Sequence, residues 1–122
     1  MTNTKSYEIS SYMHDDVIEI DIAGTATEDC VEDLKSEINT LIKLTNPRKL
    51  LTDLRALKIP RFLSEAFSGI RNYPPLFHIK TAVVILAENA ESQMFYETEA
   101  NHAGLKMRWF TDIEAARNWL KN

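Results

Sequence analysis

The last 16 residues, MRWFTDIEAARNWLKN, change from one hydrophobic period to another within a few positions. From 105 to 110 apolar and charged residues mostly alternate, which is the period of a half-buried strand. Thr111 and Glu114 then form the pattern of a capping box, so a helix should begin there and leave Arg117 in water. Its buried side is expected to hold Ile113, Ala116, Trp119 and Leu120. A strand joined to a helix by so short a link predicts a βα unit.

The start of the chain predicts two antiparallel strands, 6–13 and 17–23, joined by a tight turn at 14–16. The isoleucines of the second strand point one way, while Glu19 and Asp21 point the other way. This alternation predicts that one face of the sheet is open to water.

Strand and helix patterns alternate through the rest of the chain. Thr25 with Glu28 predicts a second capping box, at the start of a helix that runs to about Leu44. The later segments read in turn as a strand, a helix, a loop, a central strand and a third helix: Lys49–Arg55, IPRFLSEAFSGI, NYPPLFH, KTAVVILAEN and residues 90–103. The order ββαβαβαβα predicts one α/β domain over residues 1–122, with a five-stranded, mostly parallel mixed sheet.

Composition and charge indicate the compartment of the protein and the kind of partner that it could bind. The N-terminus is polar, and the longest apolar run, 82–87, is too short to span a bilayer. Both features predict a cytoplasmic protein that is not integral to a membrane. The lone Cys30 excludes an intramolecular disulfide and fits a reducing compartment. Net charge is −7 over residues 1–47, +5 over 48–80 and −2 over 81–122. The middle third either meets an anionic partner or carries solvated basic side chains.

Known catalytic and nucleotide-binding motifs are missing. The three glycines, at 24, 69 and 104, form neither a dinucleotide fingerprint nor a Walker loop, and no hydrolase elbow or zinc-helix motif is present. The histidines, at 14, 78 and 102, read as structural or solvent-exposed. We therefore expect no cofactor, no metal, no catalytic residue and no nucleic-acid partner. In the alternative that the protein is an enzyme, Asp53 or Glu88 would serve as acid or base.

Open α/β sheets tend to bind ligands beyond the carboxyl ends of their parallel strands. Applied to this chain, that rule selects Gly24, Thr25, Asp53, Arg55, Glu88, Asn89 and Thr111. Asp53 is the most suggestive of them, because it is a charged residue within LLTDLRAL. It is either a capping or salt-bridge partner of Arg55 or part of a site.

Three segments carry a resemblance to the STAS and SpoIIAA-like proteins, relatives in fold of the Sec14 lipid-binding domains: VIEIDIAGTATEDCVEDLKSEI, KLLTDLRAL and MRWFTDIEAARNWL. The resemblance covers nearly the whole chain. It implies a five-stranded mixed sheet with helices mainly on one face and a non-enzymatic regulatory or binding role. Antagonists of anti-sigma factors in this family carry an Asp-Ser-Ser-Gly switch at the second helix, where this chain has RFLSEAFSG. The switch is not preserved, so Ser64 is only a weak candidate for phosphorylation.

The predicted function is a regulatory or binding module that meets a protein partner through the second-helix region. The segment RFLSEAFSGIRNYPPLFHI is also unusually apolar. Either this segment forms ordinary core and a packed loop, or it forms a self-association patch or an apolar pocket. The relationship to the Sec14 domains suggests that such a pocket would bind an amphiphile with an acidic head. Candidate partner or ligand residues are Asp53, Arg55, Lys58, Arg61, Ser64, Phe67 and Arg71.

Overall fold

A computed structural model describes residues 6–58, 79–89, 97–98, 101–102, 104 and 106–122. Five strands form one sheet in chain order: β1 Tyr7–His14, β2 Val17–Thr25, β3 Lys49–Lys58, β4 Lys80–Val84 and β5 Met107–Phe110. β1 is antiparallel to β2, and each later neighbour pair is parallel. The predicted five-stranded, mostly parallel mixed sheet is therefore confirmed.

Two helices have described bounds, α1 at Val31–Thr45 and α2 at Ile113–Lys121. The predicted second helix lies outside the described residues. Most of the predicted third helix does too, although residues 97–98 and 101–102 are helical.

Apolar side chains pack on both faces of the sheet. The α1 side buries a cluster that includes Ile18, Ile20, Ile22, Leu34 and Ile42. The α2 side buries a smaller cluster of Leu51, Ala82, Val84, Ala116 and Leu120. The two described helices therefore lie on opposite faces. The expectation that helices lie mainly on one face also depends on residues outside the described ranges and stays a prediction.

The expectation of a water-exposed sheet face is wrong at Glu19. Its side chain is only 2 % exposed, because α2 covers this face and Arg117 reaches across it. Asp21, two residues further along β2, is exposed as predicted. The alternation along β2 correctly predicted which face these side chains point to, but it could not predict that a helix covers that face at Glu19.

Neither predicted capping box forms, because other residues occupy the N-cap positions of both helices. Thr25 is the last residue of β2, where its N–H donates to Ser6 O at 2.8 Å, and a 3₁₀ turn with Cys30 at the N-cap position precedes α1. At α2 the cap is Asp112, whose carboxylate accepts from Ala115 N at 3.2 Å. An aspartate satisfies an unpaired helix N–H as well as a threonine does, and the chain uses the later residue.

Glycine is required at position 24, where the backbones of the start of β1 and the end of β2 lie very close together. Its φ is +112°, and a Cβ at this position would lie 2.4 Å from Ser6 O and 2.8 Å from Tyr7 Cα. A side chain would force these two strands apart, since both contacts are with backbone atoms.

Candidate functional site

Polar side chains of β1, β2 and β3 meet on the face of the sheet that α2 partly covers. The register places Ser10 opposite Asp21 and Asp21 beside Asp53, while Tyr12 is opposite Glu19. Parallel pairing of β2 with β3 thus brings two carboxylates side by side near the middle of both strands. The site consists of two groups of charges, one around Glu19 and one around Asp53.

The first group is an ion pair between a buried carboxylate and a partly exposed guanidinium, with two further polar contacts, and we call it the Glu19 cluster: Glu19, Arg117, His14 and Tyr12. Arg117 binds the Glu19 carboxylate with two nitrogens, Nε at 3.1 Å and Nη2 at 3.0 Å. His14 Nε2 lies 2.9 Å from Glu19 Oε2, and Tyr12 also hydrogen-bonds to this carboxylate. Arg117 also donates to Glu114 within α2 at 2.9 Å. Its two bonds to Glu19 link α2 to the first half of β2.

These contacts decide the charge of Glu19. Burial alone would raise the pKa of Glu19, but hydrogen bonds from Arg117, His14 and Tyr12 outweigh it and hold the pKa below its ordinary value. The hydrogen bond to Glu19 raises the pKa of Tyr12, and the same carboxylate raises the pKa of Arg117. At neutral pH the cluster therefore contains an ionised carboxylate and a permanently charged guanidinium.

The second group extends from the middle of β2 and β3 to the carboxyl end of β3, and we call it the Asp53 surface: Asp21, Asp53, Arg55 and Lys58. Asp53 accepts three hydrogen bonds from Arg55: from the backbone N at 3.0 Å, from Nε at 3.0 Å and from Nη2 at 2.8 Å. Against the opposing effect of burial, these bonds hold the pKa of Asp53 below its ordinary value. Of the two roles left open for Asp53, the structure shows the ion pair with Arg55.

Asp21 shows the opposite shift on the same surface. Loss of solvent raises the pKa of Asp21, and the negative charge of Asp53 beside it raises it further. The side chain of Arg55 is 38 % exposed, whereas that of Asp53 is 14 % exposed. The Asp53 surface thus presents a fixed guanidinium to solvent beside a carboxylate whose pKa is raised.

Opposite shifts at Asp21 and Asp53 are measurable by carbon-detected NMR titration. We expect Asp53 to titrate below the ordinary aspartate value of about 3.9 and Asp21 above it. Because the pKa of Asp53 is lower in the folded state, this group stabilises the fold above its unfolded pKa and loses that contribution as the pH falls through the folded value. Arg55→Gln should raise the pKa of Asp53, while the exposed control Lys106→Gln should not. Equal pKa values for the two aspartates would contradict this description.

Two depressions adjoin the two groups. One of about 850 Å³ is lined in part by Ser10, Asp21, Asp53 and Ala56. The other, of about 480 Å³, lies between the β1–β2 turn and α2 and is lined in part by His14, Glu19, Lys49 and Arg117. Both adjoin charged side chains.

The predicted site residues are only partly brought together. Asp53, Arg55 and Lys58 lie on β3, whereas Arg61, Ser64, Phe67 and Arg71 lie outside the described residues. The other residues selected by the strand-end rule lie separately at the ends of β2, β4 and β5: Gly24, Thr25, Glu88, Asn89 and Thr111. Sequence reasoning missed the Glu19 cluster, and the only local signal for it was a charged residue between two buried isoleucines.

The described ranges contain no group of three His, Cys, Asp or Glu side chains placed to hold a metal ion. No helix in the described part of the chain has the length and hydropathy needed to cross a bilayer.

Comparison with known proteins agrees with this architecture. No curated protein sequence matches the chain. The solved structure of an anti-sigma factor antagonist from Mycobacterium paratuberculosis aligns over 100 % of both chains with a TM-score of 0.72 and 12 % identity. A protein of the DUF3478 family with a SpoIIAA-like fold, from Shewanella loihica PV-4, aligns over 98 % of both chains with a TM-score of 0.59 and 15 % identity. At these identities the two structures show the shared fold. The SpoIIAA-like family model matches residues 17–121, and the chain therefore belongs to the SpoIIAA-like family.

Proposed function

We propose that this protein is a regulatory module that binds a protein partner through the Asp53 surface and the basic segment that follows it. The module acts without catalysis and in the cytoplasm, where its single buried cysteine stays reduced. The family assignment and the anti-sigma factor antagonist among similar structures support a regulatory, protein-binding role.

The observation that carries the proposal is the geometry of Arg55. Asp53 holds two of its guanidinium nitrogens and its backbone N–H, while more than a third of the side chain faces solvent. A preoriented arginine loses little further conformational entropy when a partner binds, and arginine is enriched in protein interfaces. Mixed charges at fixed positions favour one partner over others by electrostatic complementarity.

The sequence extends this surface beyond the described residues. Lys58 ends β3, and Arg61 and Arg71 follow within the segment of net charge +5. A partner with an acidic patch would therefore be attracted both to Arg55 and to the basic segment that follows Lys58 in the sequence.

The alternative of an acidic amphiphile as ligand finds no support in the larger depression. Its described lining includes four acidic residues, namely Glu8, Asp21, Glu37 and Asp53. Carboxylates at these positions would repel an anionic head group. The apolar pocket and the phosphorylation of Ser64 stay predictions, since both concern residues outside the described ranges.

Affinity capture from the native cell tests the proposal. The test variant reverses three charges, with Lys58→Glu, Arg61→Glu and Arg71→Glu. The matched control reverses three exposed lysines elsewhere, with Lys43→Glu, Lys106→Glu and Lys121→Glu, and so carries the same net charge. We expect the control to retain the wild-type partner and the test variant to lose it, with both variants folded by circular dichroism.

A further inference from the structure

The strand β1 forms one edge of the described sheet, and its backbone direction follows from one hydrogen bond. Thr25 N donates to Ser6 O, so Ser6 and every second residue after it direct their backbone groups toward β2. The residues between them direct N–H and C=O away from the sheet: Tyr7, Ile9, Ser11 and Met13. No described strand pairs with that outer side of β1.

The sequence of this strand lacks the residues that usually protect sheet edges. Edge strands are commonly short or carry lysine or proline, which prevents pairing with another chain. β1 has eight residues, YEISSYMH, with neither lysine nor proline. Tyr12 is 49 % exposed and Met13 is 42 % exposed near its end.

We propose that β1 pairs with β1 of a second copy of this chain, antiparallel and centred on Ser11, and joins two five-stranded sheets into one. In this register Ser11 faces Ser11 of the second copy, Ile9 faces Met13, and Glu8 faces His14. In this register, residues whose N–H and C=O point away from β2 are opposite one another. The three such pairs, Ser11 with Ser11 and Ile9 with Met13 twice, would exchange about six backbone hydrogen bonds.

Side-chain complementarity selects this register. Centring on Ser11 places an acidic side chain opposite a histidine twice, and it places the exposed Met13 beside the half-buried Ile9 on the α1 face twice. Centring on Ser10 would instead place Glu8 opposite Tyr12 and Ile9 opposite Ser11. Centring on Tyr12 would place His14 opposite Ser10 and leave Glu8 without an opposite residue on β1. Cross-strand pairs of hydrogen-bonding and of apolar side chains stabilise a sheet, which favours the first arrangement.

Cysteine cross-linking of the full chain tests both pairing and register. In the proposed register the Cα atoms of Ser11 and its counterpart are about 5.5 Å apart, within disulfide range. The Cα atoms of the two Ser10 residues are diagonal neighbours at about 7–8 Å, outside that range. We expect Ser11→Cys to form a covalent dimer under mild oxidation and Ser10→Cys to remain largely uncross-linked. The wild-type chain with its buried Cys30 gives the background. Cross-linking of Ser10→Cys as fast as Ser11→Cys would overturn the register.

Sedimentation equilibrium tests the interface without a new thiol. The wild-type chain should sediment as a dimer at micromolar concentrations. Ser11→Pro removes an N–H that points away from β2, so the β1–β2 ladder is retained while the new pairing is blocked. We expect at least a tenfold weaker dimer, a change of about 1.4 kcal/mol. A wild-type monomer throughout, or a folded Ser11→Pro dimer of unchanged affinity, would overturn the proposal.

Discussion

Replacing Arg117 with methionine should lower the free energy of unfolding by about 3–5 kcal/mol. The cost arises at Glu19, which is 2 % exposed and would lose two hydrogen bonds and its permanently charged partner. His14 and Tyr12 would remain as contacts of Glu19, but His14 is 43 % exposed and Tyr12 is 49 % exposed, so neither replaces the guanidinium. A buried carboxylate without its guanidinium is much less stable than the intact pair.

Chemical denaturation across pH measures this effect. The folded pKa of Glu19 is lowered in the wild type, so the ion pair contributes fully above the unfolded pKa and its contribution is lost as pH falls through the folded value. The loss caused by Arg117→Met should therefore be largest near neutral pH and shrink in acid. Arg108→Met, at a side chain 56 % exposed, serves as the control and should cost less than about 1 kcal/mol. If Arg117→Met and Arg108→Met lowered the free energy of unfolding equally, Glu19 would not depend on Arg117 for its stability in the buried site.

The second large effect is expected from cavities on both faces of the sheet. Ile20 and Leu51 are each 0 % exposed but belong to the clusters on opposite faces, beneath α1 and α2 respectively. Ile20→Ala and Leu51→Ala should therefore each cost about 2–5 kcal/mol. Leu44→Ala, at a residue 77 % exposed, should change stability by about 0.5 kcal/mol or less. Thermal or denaturant unfolding distinguishes these values. A near-neutral Leu51→Ala beside a costly Ile20→Ala would mean that α2 does not cover its face.

The strands were predictable because their signals are local. Alternation placed Met107 and Trp109 on one side of β5, and the structure buries both against the α1-side cluster. The turn between the first two strands was equally clear, and His14 pairs with Val17 across it. Each of these features depends on residues only a few positions apart.

The candidate site was less predictable because it depends on distant pairs. Glu19 and Arg117 are 98 positions apart, and no period in the sequence links them. Asp53 and Arg55 are two positions apart on one strand, so their ion pair could be proposed from sequence alone. The predicted N-terminal caps of both helices were also wrong. Thr25 remains in the sheet, and Asp112 caps the last helix in place of Thr111.

Partner binding through the Asp53 surface and the basic segment that follows it is tested most directly by the amount of partner recovered with each charge-reversed chain. Recovery with Lys58→Glu, Arg61→Glu, Arg71→Glu should fall to about a tenth of the wild-type amount or less, which corresponds to about 1.4 kcal/mol of binding free energy at subsaturating concentration. Recovery with Lys43→Glu, Lys106→Glu, Lys121→Glu should stay at the wild-type level. Equal recovery from both variants, with both chains folded, would contradict the account.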